Sequence, residues 1–263
     1  MMKSGLVSIT FRQLPPSSII DLVAKAGLTG IEWGGDIHVP HGDLAMADKV
    51  RKNCEDSGLE IPAYGSYYRA GSSEKAGLPF TKVLDTAKAL NALTIRVWAG
   101  GKDSASLSSL ERGVIVEDIL RIGEAARKAG ISVSLEYHRG TLTDSRESVQ
   151  MLLRELAGAK IRFYWQPPVF VDEASCLVSL KEVLPLLSNL HVFHWLNKPG
   201  NELERRPLSE AVEKWREYLS LASTSGTPHC AMLEFVRGDS PDQFLEDAAT
   251  LKDILKYADQ TES

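Results

Sequence analysis

Cysteine is scarce: Cys54, Cys176 and Cys230 are the three in a chain of 263 residues. They are far apart, form no CxxC pair and are odd in number, which argues against a disulfide framework or a zinc ribbon and fits a reducing cytoplasm. No apolar run approaches the roughly 18 residues that cross a bilayer. Met1 to Phe11 carries one lysine and too short an apolar stretch for a secretory signal. The expectation is a cytoplasmic protein with no membrane partner. Phosphate-cradling glycine motifs are missing as well. The first apolar run ends at Phe11 and continues as Arg12-Gln13-Leu14-Pro15 in place of GxGxxG, and GxxxxGK[ST] is absent. No nucleotide cofactor is therefore expected. The net charge of −5 gives no reason to expect nucleic acid, which wants a basic face.

What the chain does have is repetition. Hydrophobic content of 43% and charged content of 25% are those of an ordinary globular core. Short β-rich runs recur at Leu6–Phe11, Gly30–Trp33, Glu60–Tyr64, Thr94–Trp98, Ser132–Tyr137, Lys160–Trp165, Leu190–Trp195 and Cys230–Phe235. Most are nearly continuous apolar runs, as expected of parallel strands buried on both faces. Helix-period segments separate them: Pro16–Ala26, Leu44–Ser57, Phe80–Leu90, Val114–Ala129, Ser145–Leu156, Glu173–Leu187, Pro207–Thr224 and Pro241–Tyr257. Eight alternating units without a linker predict one α/β domain over residues 1–263, either a (β/α)₈ TIM barrel or an open doubly wound sheet. The missing phosphate loops favour the barrel.

In a barrel, chemistry gathers where the strands end. Here the fifth to eighth runs end in Glu136, Gln166, His194 and Glu234. A carboxylate at the end of a buried strand is costly unless it is paired, hydrogen-bonded or bound to a metal. Two carboxylates, an amide and an imidazole make an oxygen-rich set suited to Mn²⁺, Mg²⁺ or Co²⁺, with Zn²⁺ also open. The competing reading pairs Glu136 with Arg96 or Arg139, and Glu234 with Arg237. His191 and His194 lie three apart and so face opposite sides of an extended strand. His194, nearer the end, is expected to face the mouth, with His191 packed between barrel and helices.

Three segments carry a family resemblance: Ile31-Glu32-Trp33-Gly34-Gly35-Asp36, Leu135-Glu136-Tyr137-His138-Arg139-Gly140-Thr141-Leu142-Thr143-Asp144, and Leu233-Glu234-Phe235. Through them the chain resembles the xylose isomerase-like barrel family, in its sugar-phosphate isomerase/epimerase branch. The resemblance implies one divalent cation (Mn, Co, Mg or Zn) held by Glu136, Gln166, His194 and Glu234, with Glu136 and Glu234 also acting as acid/base groups. Gln166 stands where the family usually has aspartate, and Val169 where it often has a substrate-holding histidine. Glu32, His38, Trp98, His138 and Arg237 are the candidate substrate-binding residues. The implied activity is isomerisation or epimerisation of a small sugar-like hydroxy-carbonyl compound through an enediolate. Metal-assisted dehydration and a catalytically lost sugar-binding or regulatory barrel are the alternatives. Lys198, Arg205 and Arg206 are read either as solvated loop charges or as contacts to an anionic substrate group. A homo-oligomer is compatible with the sequence.

Overall fold

The computed structural model describes residues 2–260. In chain order the strands are β1 (Lys3–Val7), β2 (Gly30–Gly34), β3 (Tyr64–Arg69), β4 (Thr94–Trp98), β5 (Ser132–Glu136), β6 (Arg162–Trp165), β7 (Leu187–Val192), β8 (His194–Lys198), β9 (Glu202–Arg206) and β10 (Cys230–Leu233). The helices are α1 (Pro16–Ala26), α2 (Leu44–Asp56), α3 (Phe80–Ala89), α4 (Ser109–Lys128), α5 (Arg146–Glu155), α6 (Glu173–Val183), α7 (Val212–Ser223) and α8 (Pro241–Gln260). Eight strands close a barrel in the order β1-β10-β7-β6-β5-β4-β3-β2, and β8 and β9 form a separate pair. The expected TIM barrel is the fold, and the registered barrel pairings are parallel. Every residue of β2, β7 and β10 is buried, which suits the wholly apolar β10, while β2 and β7 also bury Glu32, Ser188, Asn189 and His191.

Local chemistry sets the element ends. Pro16 opens α1, where its missing N–H costs nothing, and Gly27 closes it in the left-handed conformation at φ 68°. Ser108 and Glu111 form a reciprocal capping box, which starts α4 five residues before the expected Val114. The third strand also lies later than expected. Residues 60–63 contribute a single bridge, Gly30 to Glu60, and regular pairing begins at Tyr64. Pro62 has no N–H to offer a ladder, which disfavours a strand across it.

The largest departure follows β7. The expected strand Leu190–Trp195 is displaced to Leu187–Val192, and His194 opens an antiparallel hairpin with β9. Its turn is Pro199-Gly200-Asn201, with φ of 80° at Gly200 and 62° at Asn201. Those are turn-forming residues in a three-residue hairpin loop.

Contacts group the chain into two compact units. One comprises Met1–Glu32, Asn53–Glu60 and Trp165–Ser263; the other comprises Trp33–Lys52 and Ile61–Tyr164. The first is centred on aromatic packing of Trp165, Trp215 and Tyr218, with Phe11 edge-on to Phe244 at 5.6 Å. The second packs Tyr68 on Phe80 and Tyr137 on Phe163, and ties its outer layer through Asp118, which accepts from the Tyr68 hydroxyl and the Gly71 N–H. No helix among the described residues is long and apolar enough to cross a membrane.

Candidate metal centre

Arg96 and Trp98 are two apart in β4, so both side chains leave the strand on one face. They converge on one oxygen, Oε2 of Glu136 at the end of β5, which accepts from Arg96 Nη1 and Trp98 Nε1. Arg96 and Glu136 are 2% and 4% exposed at their side chains, so this ion pair has little solvent around it. Thr143 Oγ1 donates to the Glu136 carbonyl, fixing the backbone as well as the head group. The Trp98 indole stacks on His138 at 4.4 Å and has the Arg69 guanidinium over its ring at 4.8 Å. His138 Nδ1 lies 2.6 Å from the Arg139 carbonyl; since a carbonyl only accepts, Nδ1 carries the proton.

The other cluster is built around His191 in β7. Its Nε2 lies 3.2 Å from Glu32 Oε2, and its Nδ1 lies 3.1 Å from Gln166 Oε1 and 3.3 Å from Glu234 Oε2. Glu32 and His191 are fully buried and Glu234 is 4% exposed. The Glu234 N–H donates to the Val192 carbonyl, which extends the β7–β10 ladder by one residue and sets this side chain beside His191. Although the Nδ1 distance is short, its geometry is not that of a hydrogen bond, and Glu234 Oε2 is a buried oxygen without a hydrogen-bond partner.

This environment fits a cation. A neutral imidazole donates from one nitrogen only. Both ring nitrogens of His191 face oxygen acceptors, so a single proton directed from Nε2 at Glu32 leaves Nδ1 against the Gln166 and Glu234 oxygens, whereas a proton on Nδ1 would be shared with Gln166. A positive ion there would satisfy both the imidazole and the orphaned carboxylate oxygen. Glu136, His191 and Glu234 each bring one ligand atom to within 4.8 Å of the others. Donors each about 2.0–2.6 Å from a common ion lie within about 5 Å of one another, so the spacing is compatible. Glu32 then takes the orienting role that a carboxylate plays behind a ligating histidine. All three cysteines are buried and unbridged, and none belongs to this group.

The other candidate residues are dispersed. His194 begins β8, half-buried, and burial lowers its imidazole below the usual histidine range. The expected positions of the two histidines are thus reversed, because β7 ends at Val192 and the chain turns into the hairpin before His194. His38 is buried edge-on to Trp33, at 5.9 Å between ring centres. Arg237 donates to Gln243 Oε1 at 2.6 Å, at the start of α8, and the expected alternative pairing with Glu234 is not the one it makes there. The pairing of Glu136 with Arg96 is present. Lys198 pairs with Glu204, Arg206 with Glu204 and Glu210, and Arg205 with Asp239, so the hairpin cations are committed to carboxylates. Glu32, expected either to hold substrate or to orient a ligand, stands behind His191, and only a contact between distant strands reveals which histidine it faces.

The chain belongs to the xylose isomerase-like TIM barrel family, whose model matches residues 20–254. Among individual proteins it is similar to a 3-dehydroshikimate dehydratase of Bacillus anthracis. The two are 27% identical over 267 residues, covering 92% of this chain and 93% of that protein. A xylose isomerase-like TIM barrel protein from Mycobacterium smegmatis, solved in complex with magnesium, shares the fold with a TM-score of 0.75 at 15% identity over 98% of each chain. So does the 3-keto-D-glucoside 4-epimerase of E. coli, with a TM-score of 0.72 at 13% identity, covering 97% of this chain and 100% of that one.

Proposed function

We propose that this protein is a divalent-cation-dependent enzyme that removes a carbon-bound proton beside the carbonyl of a small polyhydroxy compound, with loss of water as the outcome. The buried Glu136–His191–Glu234 group, with its unsatisfied Glu234 oxygen, carries the reading. When bound, the cation polarises the substrate's carbonyl and hydroxyl oxygens and so acidifies the neighbouring carbon. His191 is kept in the ligating tautomer by Glu32, and Gln166 adds a neutral oxygen at the same edge of the ring. A glutamate carboxylate accepts the carbon-bound proton. A proton returned to the departing hydroxyl at the neighbouring carbon completes the water and leaves a carbon–carbon double bond. Mn²⁺, Mg²⁺, Co²⁺ and Zn²⁺ all suit the donor set.

Dehydration is preferred as the outcome because the 27%-identical relative is a dehydratase. Isomerisation or epimerisation is the second reading, supported by the presence of two glutamates that can act as proton carriers. Both begin with the same proton loss and part afterwards.

The test is metal analysis of protein purified without chelator, followed by incubation with 3-dehydroshikimate and with ketoses or inososes in deuterated water. The proposal expects near-stoichiometric divalent metal and conversion of 3-dehydroshikimate to a dehydrated aromatic product. Deuterium entering recovered ketose or inosose without loss of water would favour the isomerase reading. A protein that takes up no cation, turns over neither class and still binds a sugar would be a binding barrel, and the enzymatic reading would fall.

A further inference from the structure

Arg96 is a permanent positive charge placed against one of the three ligand residues. Metal centres seldom gain from such a neighbour, since a guanidinium repels the ion that the carboxylate is there to attract. Arg96 and Glu136 are both almost free of solvent, so screening does little to separate the two effects. The guanidinium is also held over the Tyr67 ring at 5.0 Å, which restricts its movement away. Trp98 reaches the same Glu136 oxygen with a neutral donor. The two residues therefore separate charge from position: either can hold the carboxylate in place, and only Arg96 reduces its pull on a cation.

We propose that Arg96 is an internal counter-cation that sets the affinity of the centre, keeping Glu136 compensated without metal and holding the bound ion less tightly than the carboxylates unopposed by it would. Arg96 and Trp98 are positioning residues, and this inference rests on the cation-dependent reading above. Removing the guanidinium takes one positive charge away from the buried Glu136 carboxylate. The metal-free protein then becomes less stable, and a divalent ion binds more tightly because it restores the missing charge.

The experiment uses the full chain, stripped by chelation, with Mn²⁺ as the probe. Free Mn²⁺ is followed by electron paramagnetic resonance in wild type, Arg96→Met, Arg96→Lys and Trp98→Phe, and each is melted with and without Mn²⁺. Arg96→Met should lower the Mn²⁺ Kd by about tenfold or more and melt lower without metal, with a larger Mn²⁺-induced rise in Tm. Arg96→Lys keeps the charge, and Trp98→Phe keeps both the charge and the aromatic stack, so each should remain within about threefold of wild type. A folded Arg96→Met that binds Mn²⁺ no more tightly than wild type overturns the assignment while leaving the cation site intact. If Arg96→Met folds only when Mn²⁺ is supplied, the proposal stands; if Mn²⁺ does not rescue an unfolded variant, it falls. Wild type that takes up no Mn²⁺ sinks both this inference and the reading beneath it.

Discussion

Glu136 and Glu234 are both buried carboxylates at the ends of barrel strands, and their surroundings are opposite in kind. Oε2 of Glu136 takes two donors, one of them a guanidinium, whereas Oε2 of Glu234 faces an imidazole nitrogen and takes no hydrogen bond. One carboxylate is compensated by the protein; the other retains an unmet need. Burial alone therefore does not mark a ligand, and a buried oxygen that the protein leaves unsatisfied is the more telling sign.

The sharpest way to break this comparison is to neutralise each carboxylate in turn in the metal-free protein. Glu136→Gln removes the carboxylate charge that faces buried Arg96 and should cost about 3–5 kcal/mol of unfolding free energy by denaturant titration. Glu234→Gln removes a poorly satisfied charge and should leave stability unchanged or raised by about 1 kcal/mol. Equal losses from both would show that the two surroundings are energetically alike. Both substitutions should abolish turnover.

The histidines sharpen it next. His191→Ala should weaken metal uptake by at least about 100-fold, and Glu32→Gln, which alters the group behind the ligand, by about 10–100-fold. His194→Ala, on β8, should retain the wild-type metal content. Loss of metal in His194→Ala with retention in His191→Ala would reverse the assignment.

Another buried carboxylate, Asp247, gives a control without any metal role. Asp247 accepts from the Leu208 N–H and Gln243 Nε2, but burial outweighs these and pushes its carboxyl up to about 6. A folded value above the unfolded one means that the native state prefers the protonated form. Its contribution is therefore most favourable below about pH 4, declines as pH rises through about 6, and is level beyond that, a change of roughly 1–3 kcal/mol. Asp247→Asn keeps an acceptor for Leu208 and should flatten this part of the pH–stability curve. A curve identical to wild type between pH 4 and 7 would contradict the shift.

Much of the architecture was legible in the chain. The apolar runs ending at Trp98, near Glu136 and at Trp165 mark real strands because two-sided burial demands continuous hydrophobicity, and Gly27 marks a helix end because its φ is positive. Glu136 and Glu234 stood out because hydrophobic strands rarely finish in a carboxylate. The choice between His191 and His194 was less legible. Strand parity shows that the two face opposite ways, but which of them turns inward depends on where the strand begins and ends. The hairpin shifts β7 three residues toward its N-terminus and carries His194 away.

The sequence by itself determined the alternation of strands and helices and the two glutamates at the strand ends, because each is written in local composition and period. The tertiary structure alone decided the partners. His191 is 159 residues from Glu32, and Arg96 is 40 from Glu136. Hydrophobic burial closes the barrel, and closure determines which charges must share its interior. A buried charge cannot be relieved by water, so its function depends on the neighbours that closure supplies.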